Sequence, residues 1–188
     1  MKKPFLTVRE MVLCAMGAAC LTVCAWISIP ILDIAFTLQA FGIFFLLGVL
    51  GGKCGTVSLL VYLFLGIAGL PVFSGFRGGL SVLLGVTGGY IWGFLLAALL
   101  YWAVSAIRRP NRFGTAVLFT CGMLLCYGCG SAWFLYAYAG PSAAGLGAVL
   151  AKCVLPYLIP DAVKIALAVL LSEKLRKHLP RISLPSGA

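Results

Sequence analysis

Apolar runs broken only at charges, glycines and prolines dominate this chain, and no water-facing fold accommodates them. A spanning helix needs about 20 apolar residues, so 188 residues allow about six spans and one compact membrane domain. With 63% hydrophobic and 10% charged residues and a mean hydropathy of +1.13, too little polar surface exists to cover a soluble domain. The expected class is therefore an all-α membrane protein with six transmembrane helices.

Local signals place the breaks. Thr7-Val8-Arg9-Glu10 matches a capping box and starts span one, which runs over 8–29 and stops before Pro30. Three cations in residues 1–9 precede a run that is too long for a signal peptide, so it reads as the first span. Spans two and three fall at 37–50 and 55–70, each shorter than the bilayer core requires. Span four covers 90–107, span five 113–138, and span six 160–179, with Pro160 as its first helical residue. Residues 142–157 read as a short interfacial helix. The whole of 1–188 forms one domain.

Charge sets the expected orientation. Lys2, Lys3 and Arg9, then Lys53, then Arg108, Arg109 and Arg112, and finally Lys174, Arg176, Lys177 and Arg181 all fall on one side if six spans alternate. The positive-inside rule puts that side, and both termini, in the cytoplasm. The net charge of +10 is then mostly topological. Scattered over membrane flanks, these cations make a poor nucleic-acid surface, so no nucleic-acid partner is expected.

One pair of charges breaks the pattern. Asp161 and Lys164 stand three residues apart, where a helix turns both to one face. Each would cost about 2.5–3.5 kcal/mol at a bilayer centre, which marks a polar interior site. The expected topology puts them at the outer end of span six. There they meet the glycine-rich outer loop 69–89, whose irregular backbone needs a protein or water-filled cavity to satisfy it. Tight helix packing is the other reading of those glycines.

Weaker signals exclude more than they assign. Residues 48–54 approach a phosphate loop but misplace the first Gly and end in Cys54 instead of Ser or Thr, so they read as a tight cytoplasmic turn. Eight cysteines lie mostly in spans, and the Cys126 to Cys129 spacing lacks a second pair or a nearby His, so they read as apolar filler. The sole histidine, His178, has no carboxylate cluster around it, and catalysis is not expected. No metal or cofactor is implied. Ala15 and Ala19, with Gly17 and Ala18 alongside, make a small-residue face for a closely packed helix, from this chain or from a partner.

Read in order, Phe36-Thr37-Leu38-Gln39, Gly69-Leu70-Pro71-Val72-Phe73, Gly75-Phe76, Gly78-Gly79, Leu83-Leu84-Gly85, Thr87-Gly88-Gly89-Tyr90 and Asp161 with Lys164 closely resemble the BioY family. These are biotin-binding S components of energy-coupling factor (ECF) transporters. Ala35, Val86 and Ile159-Pro160 depart from the family pattern at positions that shape backbone. The resemblance implies an S-component fold that captures biotin from outside, with a transmembrane coupling subunit and two cytoplasmic ATPases as partners in the lipid membrane. It implies that Ala15 and Ala19 meet the coupling subunit.

For the ligand it implies that Asp161 accepts from a ureido N–H while Lys164 donates to an oxygen. Phe36, Phe73 and Tyr90 would supply apolar walls, and Gln39 a further polar contact, with Thr37 in the same run. Thr87, Gly88 and Gly89 would present hydroxyl or backbone N–H groups, and Arg77 would meet the valerate carboxylate. Two other readings stand beside this one: an S component for another small vitamin or a lipoate-like acid, and a proton-coupled carrier in which Asp161 titrates.

Overall fold

The computed structural model describes residues 5–31, 34–137 and 146–178. Helix α1 spans Val8–Trp26 and opens with the expected capping box. Thr7 Oγ1 accepts from the Glu10 N–H at 3.3 Å, and the Glu10 carboxylate accepts from the Thr7 N–H at 2.7 Å. The helix stops short of residue 29, because Pro30 disfavours helical backbone at the residue before it and the neighbouring β-branched isoleucines suit extended backbone.

The segment between α1 and the next helix corrects the all-α expectation. Strands β1 (Ser28–Ile31) and β2 (Ile34–Thr37) pair antiparallel, with Ser28 opposite Thr37 and Ile29 opposite Phe36. The hairpin delivers the backbone of Thr37 to the start of the second long helix. The fold is mostly helical, with this one two-stranded sheet among the described residues.

Helix α2 (Gln39–Ile67) is two helices merged across a break at Gly51. A straight helix would hold Gln39 and Tyr62 about 34 Å apart, yet Gln39 Nε2 donates to the Tyr62 hydroxyl at 3.2 Å. The two limbs therefore fold back on each other. At φ 80° and ψ 172°, Gly51 occupies backbone space essentially closed to residues with a Cβ. Gly51→Ala should cost about 1–3 kcal/mol and lower the midpoint of thermal unfolding in detergent by about 2–10 °C. An unchanged midpoint would mean that the reversal does not depend on glycine.

The remaining helices are α3 (Leu80–Leu83), α4 (Gly88–Ile107), α5 (Arg112–Ala137), α6 (Leu146–Cys153) and α7 (Leu155–His178). Five helices, namely α1, α2, α4, α5 and α7, are long and apolar enough to cross a membrane by length and composition. Of these α2 is 72% buried and the others 33–39%, so α2 is the centre against which α1, α4 and α7 pack.

Helix α7 begins at Leu155, which corrects the expectation that Pro160 starts it. Pro156, not Pro160, takes the first turn, where a missing N–H costs nothing. An interior proline is unfavourable by about 3 kcal/mol, and burial of Tyr157, stacked on Phe36 at 6.5 Å, offsets part of it. Within the segment 142–157, expected as one short helix, α6 covers Leu146–Cys153 and α7 already begins at Leu155. Residues 138–145, and the cationic ends with Lys2, Lys3 and Arg181, lie outside the described residues.

Candidate functional site

Asp161 and Lys164 share one face of α7 and are 5% and 6% exposed. Lys164 Nζ donates to Asp161 Oδ1 at 2.7 Å and to the Thr37 carbonyl at 2.8 Å. It also lies 3.7 Å from the centroid of the Phe36 ring, a cation–π distance. An ammonium has three donors and no acceptor, so two of its N–H groups are spent on these oxygens. The other carboxylate oxygen, Asp161 Oδ2, accepts from the Tyr127 hydroxyl at 2.6 Å. Each carboxylate oxygen retains a second acceptor site, so Asp161 can take a further donor without surrendering a partner.

The pair lines a mostly apolar cavity. Of the residues expected from sequence, Phe36, Thr37, Gln39, Phe73, Arg77, Thr87, Tyr90, Asp161 and Lys164 all line it. Phe73 meets Tyr62 edge-on at 5.4 Å and lies directly on Gly66, where a Cβ would collide with its ring. Gln39 spends one amide N–H on Tyr62 and receives support from Thr37, whose Oγ1 accepts its backbone N–H at 3.3 Å. Arg77 is exposed at the rim, where its Nε donates to the Ser74 carbonyl at 3.2 Å. Its backbone carbonyl accepts from the Phe73 N–H at 2.9 Å, closing the loop into a tight turn.

Gly88 and Gly89 are not among the cavity-lining residues. Both are buried and serve close packing: a Cβ on Gly88 would strike the Leu83 backbone, and one on Gly89 the Trp133 side chain. The Gly88 N–H is already donated to the Gly85 carbonyl at 2.9 Å.

Several lining residues went unmarked in the sequence. Met123, Cys126 and Tyr127 of α5 line the cavity together, as the i, i+3, i+4 spacing of one helix face requires. Ile91 and Phe94 of α4 and Tyr157 of α7 complete the apolar wall. Tyr127 carried the one available signal, a hydroxyl inside a long apolar segment, which needs a partner when buried. Its neighbours Cys126 and Cys129 are free thiols, as are Cys14, Cys20, Cys24, Cys54 and Cys121.

Elsewhere Ala15 and Ala19 are exposed on α1, while Gly17 and Ala18 turn inward. Residues 48–54 hold no phosphate cradle: they belong to the α2 reversal, and Lys53 donates to the Phe5 carbonyl with its ammonium 4.5 Å from the Phe5 ring centroid. Among the described residues no cluster of His, Cys, Asp and Glu has metal-binding geometry.

A family model described as the BioY family matches residues 1–181. The chain is 33% identical over 176 residues to the "Biotin transporter BioY" of Thermotoga maritima, covering 90% of this chain and 96% of that one. It is 38% identical over 168 residues to the "Probable biotin transporter BioY" of Pyrococcus horikoshii, covering 89% and 96%. Among solved structures it resembles the S-component for biotin from an ECF-type ABC transporter, with a TM-score of 0.80, 27% identity, and coverage of 90% and 92%.

Proposed function

The chain belongs to the BioY family, and from that membership we propose that it captures biotin as the substrate-binding S component of an ATP-driven ECF transporter. The observation that carries this is the buried Asp161–Lys164 pair, bonded at 2.7 Å in the wall of a mostly apolar cavity. Such a cavity suits a ligand with a polar ring at one end and an apolar body. Asp161 accepts from a ureido N–H, and Lys164, held between Asp161, Thr37 and the Phe36 ring, fixes that carboxylate in place. Phe36, Phe73 and Tyr90 enclose the bicycle. Gln39, Thr37 and Thr87 add polar contacts, and Arg77 at the rim receives the valerate carboxylate.

Calorimetric titration of the purified chain tests the assignment. Biotin and desthiobiotin, which share the ureido ring, should bind at one site, whereas lipoate, thiamin and riboflavin should not. Binding of lipoate without biotin would transfer the site to another acid.

The chain sits in the membrane with both termini in the cytoplasm. The reversal at Gly51 divides α2 into two limbs that run back on each other, which with α1, α4, α5 and α7 make six membrane segments, the limbs of about 18 and 24 Å each reaching only part of the way through the roughly 30 Å core. A C-terminal tag should then resist external protease in sealed cells. Digestion of the tag in intact cells would reverse the orientation. Transport further requires a transmembrane coupling subunit and two ATPases, with the exposed Ala15 and Ala19 as the docking face.

A further inference from the structure

We propose that the groove between α5 and α7, on the far side of the cavity wall, binds one anionic phospholipid, with an acyl chain along the groove and the phosphate at Arg112. The groove is separate from the biotin cavity, and three residues, Met123, Tyr127 and Asp161, contribute to both. Its walls are apolar: Phe113 and Leu124 from α5 and Leu158 and Leu170 from α7 line it and are 77%, 58%, 47% and 47% exposed. Between them Ala116, Ala162 and Ala166 keep the floor low. The hydroxyl of Thr120, midway along, is already donated to the Ala116 carbonyl at 2.9 Å. Nothing polar is thereby offered to the middle of a bound chain.

Unpaired charge is confined to one end, because Asp161 at the other is 5% exposed and already bonded to Lys164. Arg112 lies there with its side chain 62% exposed, its Nε 3.4 Å from Glu173. Arg108 and Arg109 precede it in the chain, and Arg176 and Lys177 come after Glu173, all four exposed, so cations outnumber the single carboxylate. An anionic headgroup gains from such a cluster at a membrane surface. From Arg112 to Tyr127 the groove runs along α5 for about 22 Å, ample for a chain that fills one leaflet of about 15 Å. A charge at one end and an apolar run behind it is the pattern of a phospholipid, whereas a partner helix would meet no polar complement along the groove. An occupied groove would back the wall that carries the Tyr127–Asp161 bond.

Native mass spectrometry of the purified full chain, with phosphatidylglycerol and phosphatidylcholine of identical acyl chains, tests the site. Phosphatidylglycerol should be retained about fivefold better, the preference that one basic side chain supplies. In Arg112→Gln that preference should vanish while chain binding persists. Ala166→Trp places bulk in the groove from an exposed position and should reduce retention of both lipids several-fold. Equal retention of the two lipids by the unaltered chain overturns the proposal, as does full retention by a folded Ala166→Trp. If Ala166→Trp does not fold, the comparison of the unaltered chain with Arg112→Gln decides. A coupling-subunit helix cross-linked into the groove in place of lipid would also overturn it.

Discussion

Asp161→Ala should weaken biotin binding by about 3–5 kcal/mol, roughly a hundredfold to a few thousandfold in Kd. Two losses combine. The ureido N–H loses its acceptor, and Lys164, only 6% exposed, loses the carboxylate that balances its charge. The Thr37 carbonyl and the Phe36 ring remain beside the ammonium but carry no full charge. The Tyr127 hydroxyl is left without its acceptor as well. Titration calorimetry in detergent reads the loss, and Tyr127→Phe provides a graded comparison. It removes one donor to a charged group and should cost only about 1.5–3 kcal/mol. Near-normal affinity in Asp161→Ala would remove that residue from the site, whatever its effect on stability.

Replacing Ala15 and Ala19 together with Leu should leave biotin binding intact and abolish most uptake. Both residues are exposed on α1, one turn apart, and neither lines the cavity. Two isobutyl groups on such a face hold an approaching helix away, because close backbone contact depends on small side chains. The double variant should titrate normally with biotin, fail to co-purify with the coupling subunit, and support little growth of a biotin auxotroph. Normal co-purification and uptake would place the partner surface elsewhere. Lost biotin binding would show that this face packs within its own bundle.

Much of the site was readable because its decisive pair is local. Asp161 and Lys164 meet by helical spacing alone, and their cost in an apolar segment announces a purpose without reference to the rest of the fold. The glycine-rich loop stood out by its composition and the Phe36 to Gln39 run through the family resemblance, and most of the site residues marked in them do line the cavity. Gly88 and Gly89 did not. A glycine that permits close packing and one that bares its N–H to a ligand look identical in sequence.

The residues missed share one cause. In lipid a helix can be apolar all round, so its sequence carries no polar stripe to reveal which face turns inward. The rotation of α5 that aims Tyr127 at Asp161, 34 residues away, is settled by packing against α4 and α7.

By itself the sequence determined the solvent, the capped start of α1 and the pairing of two charges on one turn. These depend on hydropathy and on contacts within four residues. Only the tertiary structure decided the fold-back at Gly51, the hairpin before α2, the interior place of Pro160 and the reach of Lys164 to a carbonyl 127 residues distant. The fold-back and the Lys164 contact join residues 23 and 127 positions apart, and their energy exists only once both segments have packed.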